Sequence, residues 1–369
     1  MPPSADALSH CPLNTAQPQT STETRSRARN RKEPGTGKSP EPESGPESGP
    51  ESGPGSESGP GPATGALYAG RPRHAVEVRV SLLAISDLHV RHSENREVVE
   101  GLRPASDDDW LLIAGDVGEL SSDIEWALRV LRDRFATVVW TPGNHDLWTL
   151  PEDPVQDRGA LRYAYLVSLC RKLGVITPED PYPIWDGPDG PVAVAPLFVL
   201  YDYTFRPEGT FTEEGALAAA RREGVVCTDE FLLHPDPYAS RADWCRARLK
   251  CTEARLAALP ADLPTVLVSH YPLVREPTRV LRHPEFALWC GTDATADWHR
   301  RFRAQAVVYG HLHIPRATWH DGVPFREVSL GYPREWRPRP GQSDALTMVW
   351  PDDRGPVAHT PRPVSSRTA

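Results

Sequence analysis

No stretch of the 369-residue chain approaches the apolar length of a membrane span, and Met1 to Gln17 has no apolar segment behind a basic start. Neither a spanning helix nor a secretory signal is therefore expected, and the chain reads as soluble and cytoplasmic. Methionine is nearly absent: Met1 and Met348 are the only ones, so a later start would need a non-Met codon near Val76, Val78 or Val80. The six cysteines (Cys11, Cys170, Cys227, Cys245, Cys251, Cys290) lack metal-type or disulfide-type spacing and read as reduced core or helix-face residues. From Met1 to about Arg73 there is also little to bury. Glu41 to Pro62 repeats a Pro-Glu-Ser-Gly unit, which cannot offset its ordering entropy. The basic cluster Arg25, Arg27, Arg29, Arg31 and Lys32 could be a nucleic-acid arm, but a solvated tail is the reading composition favours, and no nucleic-acid partner is expected. The net charge of -9 owes much to acids in this tail and says little about the folded part. The expected organisation is a disordered tail over 1–74, one domain over 75–350 and a flexible tail over 351–369.

What the domain does have is a series of apolar runs, each ending in polar, turn-forming residues. Val76 to Ile85 begins with alternation, becomes continuously apolar and ends at Ser86-Asp87-Leu88-His89. Leu111 to Ile113 runs into Gly115-Asp116. Ile124 to Leu131 has helical spacing with Ser121-Ser122-Asp123 as its cap, and Thr137 to Trp140 leads to Gly143-Asn144-His145-Asp146. Spacings of roughly thirty residues fit βαβ units, which bring strand ends together on one sheet edge. Between Pro151 and Asp262 the pattern is mixed, with helices over Leu161 to Leu173 and Arg241 to Leu259 and a strand over Val192 to Ala195; this stretch reads as an insertion shaping a cleft. Thr265 to Val268 then runs into His270, Ala306 to Tyr309 into His311, and Arg316 to Val328 reads as a hairpin turning at Asp321-Gly322. The fold class is α/β.

Five turns thus collect three carboxylates, one asparagine and five histidines. Folding alone does not call for so many titratable groups on one edge. Hydrolysis of a phosphate ester does: two divalent ions about 3.5–4 Å apart activate a bridging water and clamp the phosphoryl group. Mixed oxygen and imidazole donors suit Mn or Fe, with Zn possible. Asp87-Leu88-His89, Gly115-Asp116, Gly143-Asn144-His145-Asp146, His270 and Gly310-His311-Leu312-His313 resemble, in order and spacing, the signature blocks of the calcineurin-like metallophosphoesterases. The resemblance implies a four-layer αββα sandwich holding two divalent metals. It also implies that Asp87, His89, Asp116 and His313 bind one metal, while Asp116 as bridge, Asn144, His270 and His311 bind the other. A metal-bridging hydroxide would attack, His145 would protonate the leaving oxygen, and Asp146 would orient His145.

After Gly115-Asp116 the chain reads Val117-Gly118-Glu119-Leu120 where the Ser/Thr protein phosphatases carry Asp-Arg-Gly, a departure that argues against them. Segments such as Asp108 to Val117, Leu200 to Phe205, Leu288 to Thr292, Thr295 to His299 and Gly331 to Trp336 are similar to the bacterial phosphopantetheinyl hydrolases. That likeness implies removal of 4′-phosphopantetheine from holo acyl carrier protein. On this reading Tyr201, Tyr203, Trp289 and Trp298 would line a channel for the pantetheine arm, while Arg275 and Arg334 would meet the acidic carrier. A nucleotide or cyclic-nucleotide phosphodiesterase would use the same site, and a non-catalytic scaffold of the same fold would be expected to have lost some of the ligands that are all present here.

Overall fold

The computed structural model describes residues 80–337 and 345–350. The expected tails lie outside them, as do Val76 and Val78. The first apolar runs form β1 (Leu82–Ile85), β2 (Trp110–Ile113) and β3 (Thr137–Trp140). They pair in parallel, Leu82 beside Trp110 and Trp110 beside Thr137. Further along come β4 (Ile184–Gly187), β5 (Gly190–Pro196), β6 (Thr265–Val268), β7 (Ala304–Tyr309), β8 (Arg316–His320) and β9 (Val323–Glu327). These make a six-stranded sheet in the order β4-β5-β6-β7-β9-β8, parallel from β5 to β9 with antiparallel edges. Finally β10 (Thr347–Trp350) returns antiparallel to β1, completing a four-stranded sheet β10-β1-β2-β3.

Alternation within each strand decides the layering, because successive side chains face opposite sides. Leu82, Ala84, Leu112, Ala114 and Val139 of the first sheet pack with Val194, Val266, Val268, Ala306 and Val308 of the second. The intervening residues, such as Leu83, Ile85, Leu111, Ile113, Leu267 and Val307, pack with helices instead. The strands are thus buried on both faces, which is why they read as continuous apolar runs. Truncating one such residue, for example Leu112→Ala, costs about 2–5 kcal/mol.

The helices are α1 (Ser93–Gly101), α2 (Ser121–Arg132), α3 (Asn144–Leu147), α4 (Ala160–Leu173), α5 (Glu213–Arg222), α6 (Asp229–Leu232), α7 (Arg241–Ala257), α8 (Trp298–Arg301) and α9 (Pro333–Trp336). Apolar faces of α2, α4 and α7 cover the outer faces of the sheets, giving the expected α/β sandwich of two sheets between helices. None of the helices among the described residues is long and apolar enough to cross a membrane. The hairpin β8–β9 turns at Asp321 and Gly322, whose φ of 50° and 83° suit a two-residue turn with left-handed central residues.

Several expectations need correction. The cap of α2 is not its own serines: Leu120 stands at the N-cap, and Asp153 supplies the acceptors, taking Ser121 N at 2.7 Å and Ser121 Oγ at 2.6 Å. Asp153 is itself held by buried Arg162 at 2.9 Å. The stretch from Pro151 to Asp262 is more than an insertion, since it contributes β4 and β5 to the second sheet. Cys170, Cys227, Cys245 and Cys290 are free and buried as expected, whereas Cys251 is disulfide-bonded.

Candidate metal centre and active site

Because β1, β2 and β3 run parallel, as do β6 and β7, their carboxyl ends deliver the polar turns to one edge of the sandwich. The two sheets are tied there: Ser86 N donates to Val328 O, and Leu330 N and Gly331 N donate to Ser86 O and Asp87 O. The backbone at this edge is strained. Asp87, His89, Asp116, His311 and His313 have φ of 53°, 40°, 52°, 71° and 55°, a region that costs a non-glycine residue roughly 1–3 kcal/mol. Such strain persists only where surrounding structure enforces it. The flanking glycines are required by close approach: a Cβ on Gly143 would stand 2.0 Å from Asp116 Oδ1, and one on Gly310 would stand 2.3 Å from Asp87 Oδ2.

Two clusters of expected ligands result, Asp87–His89–His313 and Asp116–His270–His311, each with ligating atoms within 4.8 Å of one another, and a third such group, His89–Glu119–His145, adjoins them. In the first, His313 Nε2 lies 3.0 Å from Asp87 Oδ1 and 3.3 Å from His89 Nε2. Asp87 Oδ2 is taken up by the Ser86 and Ser329 hydroxyls at 2.5 and 2.7 Å, which leaves Oδ1 for the cluster. In the second, Asn144 Oδ1 is 3.0 Å from His270 Nε2 and 3.1 Å from His311 Nδ1, and Asp116 Oδ2 is 3.4 Å from His270 Nε2.

The outer contacts of these rings decide which atoms face inward. His270 Nδ1 is 2.9 Å from Ala114 O, a group that only accepts, so Nδ1 carries the proton and Nε2 presents a lone pair. Asn144 Nδ2 donates to Asp229 Oδ1 at 2.9 Å, so its oxygen is the inward atom. His89 Nδ1 rests 3.2 Å from Glu119, and His313 Nδ1 2.7 Å from Glu335. Lone pairs therefore converge on a buried carboxylate, a donor set that fits a cation and is backed by the outer carboxylates and carbonyl expected of metal-binding imidazoles. Electrostatics agree. Burial, then the Asp87 and Asp146 charges, push the Asp116 carboxyl well above its usual range, and burial pushes His311 well below and His89 down to about 4. A crowded acid such as Asp116 is what a divalent charge would relieve, and the lowered imidazoles stay bare for it, whereas His313, between Asp87 and Glu335, is raised to about 10 and must lose a proton first.

His145 stands beside this centre. Its ring is 3.6 Å, centroid to centroid, from Trp148, its Nδ1 is 2.9 Å from Glu119 Oε1, and its Nε2 is 4.0 Å from Asp116 Oδ2. Together with Asp116, Asn144, His311 and His313 it lines a cavity of about 270 Å³ whose apolar wall includes Trp148, Val226 and Phe286. The site thus pairs a dense cluster of metal-type donors with an imidazole, whose pKa burial lowers, at the mouth of a small cleft.

Residues 80–315 match the calcineurin-like phosphoesterase family. The chain belongs to it. Among relatives of this phosphoesterase is the Mycobacterium tuberculosis [Acyl-carrier-protein] phosphodiesterase PptH, 53% identical over 285 residues, which are 77% of this chain and 88% of that protein. The crystal structure of phosphopantetheinyl hydrolase (PptH) from Mycobacterium tuberculosis superposes with a TM-score of 0.73 at 54% identity, over 75% of this chain and 98% of the other. The phosphoesterase is accordingly a hydrolase of phosphoric esters in a family that uses divalent metals.

The structure gathers Asp87, His89, Asp116, Asn144, His145, His270, His311 and His313 as expected, but it reassigns others. Asp146 does not orient His145. Its carboxylate accepts the backbone N–H groups of Asp116, Val117, Gly118 and Gly143 at 2.8–3.2 Å, clasping two turns, and Glu119 is the acid that reaches the imidazole. Tyr201, Tyr203, Trp289 and Trp298 are at most 2% exposed and are not among the residues lining the cavity. Tyr203 and Trp289 instead donate to Glu230 Oε1 at 2.8 Å each, and Trp298 packs edge-on to Phe302. Arg275 is turned onto the carbonyl oxygen of Arg206. Arg334 is exposed at the rim, its guanidinium 5.2 Å from the ring of Tyr332, which does line the cavity. Sequence reasoning missed Glu119, Trp148, Asp229, Tyr332 and Glu335. A signal existed only for Glu335, whose carboxylate caps the Tyr332 N–H at the start of α9 three residues away.

Proposed function

We propose that this phosphoesterase removes 4′-phosphopantetheine from holo acyl carrier protein in the cytoplasm, at a two-metal centre in the domain that spans 75–350. The reaction class rests on the convergence of lone pairs around Asp116 beside a cleft carrying His145. The substrate rests on the relative, whose likeness extends over 88% of its own length. Asp87, His89, Asp116 and His313 would hold one ion, and Asp116, Asn144, His270 and His311 the other, with donors that suit Mn or Fe and admit Zn. When bound, the pair supplies Lewis-acid activation of water and neutralisation of phosphoryl charge.

The chain's own residues do the rest. The scissile bond joins phosphate to a serine oxygen, and that alkoxide leaves only with a proton. Glu119 accepts from Nδ1 of His145, so in the doubly protonated ring that Glu119 stabilises, Nε2 carries the proton to be given. Trp148 backs the ring and limits its rotation. At the rim, Arg334 is placed to steer an acidic carrier rather than to set affinity.

The test is the intact mass of a holo acyl carrier protein after incubation with the Mn-loaded protein, alongside His145→Ala. Loss of the phosphopantetheine mass, absent with the variant, supports the reading. An unchanged carrier together with rapid cleavage of a generic aryl phosphodiester keeps the reaction class and refutes the substrate.

A further inference from the structure

We propose that Asp229 is a positioning residue for the metal centre, presenting Asn144 oxygen-first to His270 and His311; the inference rests on the reading that Asn144 is a metal ligand. An asparagine side chain has nearly the same shape with its oxygen and nitrogen exchanged, so packing alone does not choose which one faces a cation. Here the choice is made by a carboxylate. Asp229, fully buried at the first position of α6, accepts Asn144 Nδ2 on Oδ1 at 2.9 Å. Asn144 Oδ1 is thereby aimed at His270 Nε2 and His311 Nδ1, 3.0 and 3.1 Å away. A flipped amide would turn N–H groups onto these nitrogens and repel a cation.

The same Asp229 oxygen accepts Trp148 Nε1 at 2.7 Å, and Trp148 is the indole that lies tilted against His145. Asp229 is itself fixed through its backbone, where its carbonyl accepts from Arg241 Nη2 at 2.8 Å and Leu233 N at 3.0 Å. It directly follows Val226, Cys227 and Thr228, which form part of the cavity wall. One buried acid outside the sequence blocks that hold the expected ligands therefore joins the cleft wall, the ring behind His145 and the amide of the second cluster.

The experiment is Mn²⁺ titration of the intact protein, resolving two sites, with Asn144→Ala as reference. Removal of an outer partner typically weakens metal binding by about 10–100-fold, so Asp229→Ala is expected to weaken the second site by that factor and leave the first unchanged. Asp229→Asn, which keeps an oxygen acceptor in place, is expected to bind both ions nearly as the parent does. If Asp229→Ala fails to fold, Asp229→Glu serves: it keeps the charge, displaces the oxygen by one methylene, and is expected to weaken the second site selectively. Unchanged second-site affinity in Asp229→Ala or Asp229→Glu overturns the proposal, as does equal weakening in Asp229→Asn or a loss shared by both sites. Should Asn144→Ala itself retain two tight sites, the metal assignment fails, a result separable from failure of the role given to Asp229.

Discussion

Glu119 offers the sharpest prediction, because one oxygen serves two rings. Oε1 lies 2.9 Å from His145 Nδ1 and 3.2 Å from His89 Nδ1. Burial pushes its carboxyl up, but the hydrogen bonds from His145 and His89 outweigh that and hold it well below the usual range, so it is an anion at working pH. A hydrogen bond to a charged group is worth about 1.5–3 kcal/mol. Burial lowers the His145 pKa and Glu119 opposes that by stabilising the protonated ring, so if its loss empties the acid form, Glu119→Gln should slow cleavage of an alkyl phosphodiester by roughly 10- to 150-fold near neutral pH. An aryl phosphodiester, whose leaving group departs without a proton, should slow far less. The assay is kcat on both diesters at saturating Mn²⁺, with elemental analysis to establish that both ions remain. Equal losses on the two substrates with both ions present would refute the reasoning, since Glu119 would then be acting on something other than proton delivery.

Gly310→Ala would place a Cβ 2.2 Å from Ser86 Oγ and 2.3 Å from Asp87 Oδ2. Overpacking of that kind costs roughly 1–3 kcal/mol and must displace Asp87, so the melting temperature should fall and metal content should drop; parental metal content would contradict it. His313 sits between Asp87 and Glu335, which overcome the lowering effect of burial and raise its pKa to about 10 in the metal-free protein. An ion needs the bare Nε2, so uptake must expel a proton. Apparent Mn²⁺ affinity at that cluster should rise with pH up to that value, by at most tenfold per unit. Calorimetry in buffers of different ionisation enthalpy would detect the released proton, and affinity independent of pH from about 6 to 9 would contradict the assignment.

The places of the candidate ligands were legible because each follows a buried strand: the run from Leu111 to Ile113 and that from Thr265 to Val268 announce both the strand and where its turn must lie. Roles that depend on direction were not. The resemblance implies Asp146 as the partner of His145, yet neighbours on a helical turn do not face one another, and the carboxylate that reaches the ring arrives from the turn after β2. Tyr201 and Trp298 failed for another reason: an aromatic residue carries the same sequence signal in a core as in a cleft. Asp229 and Trp148 left no pattern, since their meaning lies in a contact between segments some 80 residues apart; the separation is 81.

The strand order carries a consequence for biosynthesis. The half of the centre borne by the first sheet is complete in sequence at His145, whereas the other half waits for His270, His311 and His313. At about 5–20 residues per second, a ribosome spends roughly ten seconds or more between Asn144 and His313. Throughout that interval the nascent chain holds Asp87, His89, Asp116 and Asn144 without the imidazoles of the second sheet. β10, which covers the open edge of β1, emerges later still. A centre built from these residues can therefore reach its final geometry only late in the life of the chain, after synthesis of β7 and of the turn that carries His311 and His313.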